Sequence, residues 1–190
     1  MSTDVARGQV YRTFWRRLGA GIIDGLVFMP IMWIDSWLWS SVSSPVLLVP
    51  WFLVSSLSFI MYSILLHGFF GQTLGKRFTG VKVLDLSGSK LTMRQAFMRD
   101  CVYLVFLAYG MLIDLPSVAS GVNPYNPETF RFSDLGIAHF LSMYASVIWF
   151  ALELISMLSN PRRRALHDFI AGSVVVRLEN VEQEIRLTSA

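Results

Sequence analysis

Residues 16–28 read RRLGAGIIDGLVF, with two arginines at the mouth of an apolar run and a carboxylate, Asp24, inside it. Whether that run belongs to a soluble core or enters a bilayer decides the fold. The chain has 190 residues, 54% of them hydrophobic and only 15% charged. Its mean hydropathy is +0.52. Soluble domains carry about 25% charged residues, so a water-exposed globule of this size lacks the charge to cover its surface. The sequence reads as an integral membrane protein. An aspartate at the centre of a spanning helix then costs roughly 2.5–3.5 kcal/mol. Asp24 lies nearer the basic end, where the cost falls and Arg17 is close enough in sequence to offset part of it.

A spanning helix needs about 20 mainly apolar residues, and four segments supply them, at about 18–39, 46–70, 101–119 and 135–158. The first carries Asp24 and Asp35, the third Asp114, and the fourth His139 and Glu153; the second has no acidic residue, Lys or Arg. The first is too long for a secretory signal core of about 7–15 residues and holds carboxylates that such cores lack. The single cysteine, Cys101, allows no disulfide within the chain. At the head of an apolar run it reads as a small buried hydrophobe.

Fifteen of the 16 Lys and Arg residues fall in the arm before the first segment, in 71–100 and after the fourth. Only Arg131, in the 120–134 loop, falls on the other side. Four crossings with both termini and 71–100 in the cytoplasm satisfy the positive-inside rule. This placement also accounts for a pI near 9.2 without nucleic acid, because juxtamembrane basic residues meet anionic lipid head groups. Several of the six tryptophans lie near segment ends, as an interfacial belt requires.

Between the second and third segments, GVKVLDLSGSKL (80–91) reads as two short β pieces about a Ser-Gly-Ser turn. Thr92 and Gln95 have capping-box spacing, so a helix from about Met93 leads into the third crossing. SVVVRL (173–178) is a β-branched run expected to form a strand. The fold class is therefore all-α transmembrane, a four-helix bundle with a small β-containing cytoplasmic cap. The arm spans 1–17, the main domain 12–178 and the tail 179–190. The external loop 120–134, rich in Pro, Asn and Ser, is expected to be irregular.

Three blocks carry a family resemblance. They are RRLGAGIIDG (16–25), GQTLGKRFTGVKVLDLSGSKLTMRQAFMRD (71–100) and RRALHDFIAGSVVV (163–176). In this order and spacing they resemble the RDD family of bacterial multi-pass membrane proteins, named for one arginine and two aspartates. Arg17, Asp24 and Asp168 fall on those positions. Gly71, Gln72, Thr73, Gly75, Lys76, Arg77, Arg99 and His167 fall on the accompanying motifs. The resemblance implies a multi-pass protein of the bacterial inner membrane, and cation/proton exchange has been proposed for some members.

The residues themselves leave two readings open. Arg17, Asp24 and Asp35 recur at two- and three-turn intervals and so share one helix face, which is expected to pair Arg17 with Asp24. Gly21 and Gly25 beside them form a G-x-x-x-G pair that admits a second helix. Asp24, Arg17, Glu153 and Asp35 are the candidates for binding a cation or proton in a small oligomeric transporter. That transporter is the leading reading; the alternative takes the same groups as ion pairs of a non-transporting scaffold or accessory subunit, which would contact a protein partner or anionic lipid through the basic face. In that reading Glu153 pairs with Arg162–Arg164 or Arg99, while Asp35 and Asp114 are interfacial. GQTLGKR lacks P-loop spacing; its glycines are expected to turn the chain, with Lys76 and Arg77 anchored at head groups. Asp168 is expected to bind Arg or Lys of 71–100, so that Asp168→Ala lowers folded yield more than any specific activity. The three histidines do not form a metal-ligand pattern, no hydrolase triad is apparent, and no cofactor or enzymatic activity is expected.

Overall fold

The computed structural model describes residues 10–124 and 134–179. Four long helices dominate: α1 (Phe14–Ser41), α2 (Pro45–Phe70), α4 (Met93–Ala119) and α5 (Asp134–Ser159). Between and after them lie two five-residue helices, α3 (Leu74–Phe78) and α6 (Leu166–Ile170), and two strands, β1 (Val81–Asp85) and β2 (Ser173–Arg177). The long helices have 26 to 28 residues. At about 1.5 Å per residue they exceed the roughly 30 Å hydrocarbon layer and reach into both head-group regions. All four are long and apolar enough to cross a membrane. Leu26, Met32, Val54, Leu112 and Val147 are among the many large apolar side chains left exposed, as a lipid-facing surface requires.

The third long helix starts eight residues before its apolar run, because the capping box extends it. The Gln95 amide donates to Thr92 Oγ1 at 3.2 Å, and the Thr92 amide donates to Gln95 Oε1 at 3.0 Å. The expected hairpin in 80–91 is reduced to one bridge, Leu84 to Lys90. Instead β1 pairs antiparallel with β2, from Val81 opposite Arg177 to Asp85 opposite Ser173. The reason is local. Asp85 accepts from the Ser87 amide and hydroxyl and from Gln95 Nε2, so the chain turns away after Asp85. The Val-rich β2 is left as the partner that buries Val81 and Val83 completely. Val174 and Val176 pack with Val10, Tyr11 and Leu84 on one side of the sheet.

The chain divides into two compact units. The first comprises residues up to Val27, Tyr62–Asp100 and Ala151 onward, and contains the sheet, α3 and α6. The second comprises Phe28–Met61 and Cys101–Phe150. It has its own core of Leu48, Phe52 and Val118, flanked by Trp39, Val42, Val49, Met111 and Leu115. Residues 125–133 of the expected external loop, including Arg131, lie outside the described residues, as do Arg7 and residues 180–190.

Candidate functional site

Asp24 does not pair with Arg17. Its Oδ1 accepts from the Tyr62 hydroxyl at 2.7 Å and the Gly75 amide at 2.8 Å, and its Oδ2 accepts from Thr73 Oγ1 at 2.7 Å. Thr73 is the N-cap of α3, and its hydroxyl also accepts from the Lys76 amide. The Leu74 amide donates to the Tyr62 hydroxyl. Asp24 and Tyr62 thus satisfy the first-turn amides of α3, donors that a helix leaves unpaired at its start. Gly75 is required for a steric reason. A Cβ there would lie 2.1 Å from the Ala20 carbonyl oxygen, so α3 rests directly on the α1 backbone. Gly71 meets the other expectation, a turn: its φ is +70°, and a Cβ would meet Val83 O at 2.8 Å. Gln72 Nε2 adds a bond to Val81 O at 2.8 Å. At Gly21 and Gly25 an added Cβ would meet nothing within 4 Å. Within the chain the close backbone approach is made by Gly75, which leaves Gly21 and Gly25 open on α1.

Arg17 reaches past the helix end to Asp168. Its Nη2 donates to Asp168 Oδ2 at 2.8 Å and its Nη1 to Arg163 O at 3.1 Å. Arg163 adopts a left-handed φ of +50°, which costs a non-glycine residue free energy and leaves its carbonyl available to Arg17. Arg99 Nη1 lies 3.0 Å from Asp168 Oδ1, as expected for a basic residue of 71–100. The Ala165 amide and the Ser173 hydroxyl complete the set at 3.0 and 3.2 Å. Oδ2 thus accepts two hydrogen bonds, while Oδ1 accepts one from Ser173 and faces the Arg99 guanidinium as an ion pair. Burial alone would raise this carboxyl, but Arg17 and then Arg99 override it and hold it well below the usual carboxylate range. Arg164 donates to the Asp168 and Ser173 carbonyls and lies over the Phe169 ring at 4.0 Å, fixing α6 and the start of β2 from outside.

His167 joins this centre to Glu153. Its Nδ1 lies 2.5 Å from Glu153 Oε1, and its Nε2 faces Nη2 of Arg99 at 2.9 Å and of Arg17 at 3.2 Å. Guanidinium N–H groups only donate. Nε2 is therefore the acceptor, and the ring is a neutral Nδ1–H tautomer donating to Glu153. Burial lowers its pKa, with Arg99 acting the same way against the opposing charges of Asp168 and Glu153. Glu153 meets this imidazole, and its charge also acts on Arg99, one of the arginines expected beside it. His67 repeats the arrangement. Its Nδ1 donates to Ser63 O at 2.7 Å, Ser63 Oγ donates to Asp100 Oδ2 at 2.8 Å, and Lys76 Nζ lies 2.5 Å from His67 Nε2. Lys76 therefore points inward rather than to head groups, while its neighbour Arg77 is exposed.

In the second unit Asp35 accepts from Trp51 Nε1 at 2.9 Å, and Asp114 faces His139 Nε2 at 2.7 Å. Sequence reasoning missed Tyr62, Ser63, His67 and Asp100. The first three lie in the segment whose lack of Lys, Arg and acids made it read as plain lipid-facing helix. Their spacing, with Ser63 and His67 one turn apart and Tyr62 beside Ser63, was the available signal.

The fold and this site define a multi-span α-helical membrane protein whose polar side is clamped by two buried aspartates. The chain belongs to the RDD family, which it matches over residues 11–172. It is 26% identical over 182 residues to the uncharacterized protein YckC of Bacillus subtilis (strain 168), covering 90% of this chain and 88% of that one. No solved structure matches it.

Proposed function

We propose that the chain is a non-transporting module of the bacterial inner membrane, with its ends and cap in the cytoplasm, which presents a rigid basic platform to a partner protein or to anionic lipid head groups. The engagement of both motif aspartates by fixed protein donors carries this reading. Asp24 holds three protein donors at 2.7–2.8 Å, and they come from α2 and α3. Hydrogen bonds to charged groups are worth about 1.5–3 kcal/mol each. A carrier that freed Asp24 in every cycle would give up several kcal/mol and uncap α3. A structural clamp gains from the same bonds. Exposed Arg77 and Arg94 and the half-buried Lys82 supply the platform's charge, which favours contact with acidic surfaces.

A second reading, a cation or proton transporter acting as an oligomer, is favoured by one observation. Among the described residues, no cationic side chain lies within ion-pair distance of Asp24, so its charge is solvated by neutral donors alone. Flux of Na⁺, K⁺ and H⁺ in proteoliposomes, for wild type and Asp24→Asn at matched folded protein, separates the two. The platform reading expects no flux from wild type under any gradient and a lower folded yield for the variant. Wild-type flux abolished by the substitution, with assembly unchanged, overturns it.

A further inference from the structure

We propose that Lys76 and His67 form a proton-operated joint that sets how firmly α3 is held against α2, making the cap responsive to cytoplasmic pH. An ammonium offers three donors. Among the described residues, Lys76 Nζ has one hydrogen-bond acceptor, His67 Nε2 at 2.5 Å. That acceptor is fixed, because Nδ1 of the same ring is committed to Ser63 O. The charged groups around Lys76 come from every packed element. They are Arg17 of α1, Arg99 and Asp100 of α4, and Asp168 of α6, with Ser63 beside the imidazole on α2. Asp168 is already engaged by hydrogen bonds from Arg17, Ala165 and Ser173 and by the Arg99 ion pair. A further positive charge at Nζ faces the guanidinium groups of Arg17 and Arg99, opposed by Asp168 and by Asp100, whose Oδ2 already accepts from Ser63 Oγ.

A neutral amine donating to His67 suits this setting, and a protonated one strains it. Burial and the charges of Arg99 and Arg17 bring Lys76 down to about 7, against the opposing influence of Asp100 and Asp168. The folded state then binds fewer protons than the unfolded one between about pH 7 and the ordinary lysine value near 10.4. Stability rises with pH across that window, and on acidification its loss is complete near pH 7, where the folded lysine also takes up its proton. The joint operates whether the chain is a platform or a transporter.

The test is the thermal midpoint of the detergent-solubilised full chain from pH 6 to 9, for wild type, Lys76→Met and Lys76→Arg. One proton of linkage raises the folded-to-unfolded ratio up to about tenfold per pH unit. Wild type is expected to gain stability from pH 7 to 9. Lys76→Met should lose that slope, and Lys76→Arg should be less stable at every pH, also without slope. Equal slopes in wild type and Lys76→Met overturn the proposal. If the variants do not fold, amide exchange in wild type decides. Protection of residues 74–78, corrected for intrinsic rates, should fall as pH is lowered from 9 to 7 relative to 81–85, and protection independent of pH overturns the joint.

Discussion

At Asp168 the balance of charge is set by two guanidinium groups and two neutral donors around one fully buried carboxylate. Removing the negative charge while keeping the shape leaves Arg17 and Arg99 without their counter-ion in a site closed to water. Breaking a buried pair from one side costs about 3–5 kcal/mol. Asp168→Asn is accordingly expected to lower the thermal midpoint sharply or abolish folded yield in detergent, whereas Arg77→Gln, at an exposed position, should change it little. The acid limit has a definite sign. The folded carboxyl sits below its unfolded value near 3.9, so its contribution is complete above that pH and disappears as pH falls below about 4 toward the folded value. A pH titration of unfolding that shows no wild-type loss below pH 4 beyond that of Asp168→Asn would contradict this assignment. Asp168 was legible in the sequence as a ligand for a basic residue of 71–100. Asp24 was not. Helical periodicity correctly puts Arg17 and Asp24 on one face, but it carries no information on the segments that return in three dimensions. A long side chain at a helix end is drawn to whichever carboxylate they bring.

At the scale of elements, α3 explains why the G-Q-T-x-G-K-R block contains two glycines with different duties. Gly71 turns the chain with a positive φ, while Gly75 lets a helix lie on the α1 backbone. Gly75→Ala must displace α3 or α1, since its Cβ would meet backbone atoms rather than a yielding side chain. Overpacking of this kind costs about 1–3 kcal/mol, and it would also stretch the Gly75 amide bond to Asp24. Gly25→Ala meets nothing within 4 Å and should leave the unfolding midpoint of the solubilised chain within the narrow range of surface changes, about ±0.5 kcal/mol. Equal destabilisation by the two substitutions would show that α3 is not seated as described. The pair also tests assembly. If a second copy packs on the G-x-x-x-G face, Gly25→Leu lowers the oligomeric mass measured by light scattering while leaving the monomer folded. The spanning helices and the strand at 173–177 were readable from apolar length and β-branching. The pairing of β1 with β2 was not, because a five-residue strand has two candidate partners in the sequence, and the hydrogen bonds around Asp85 decide between them.

For the whole molecule, the distribution of charge makes a claim about orientation that the four apolar helices alone do not. Ser87 and Ser120 flank α4, one in the turn after β1 and the other just past the helix end, and both are exposed. One crossing separates them, so they must emerge on opposite faces of the membrane. The basic residues of 71–100 predict a cytoplasmic Ser87 side, because Lys and Arg in short loops resist translocation. In a Cys101→Ser background, Ser120→Cys should react with a membrane-impermeant maleimide in intact spheroplasts, and Ser87→Cys only after the membrane is opened. The reverse pattern would place the clamp and its basic surface outside, removing both the cytoplasmic platform and any response to cytoplasmic pH. Labelling of both sites in intact cells would mean that α4 does not span at all. The expected pattern would put Arg17, Lys76, Arg99 and Asp168 on the side where anionic lipid and cytosolic partners meet the protein. On that side, the clamp would hold the cap as the proposed platform for cytosolic contact.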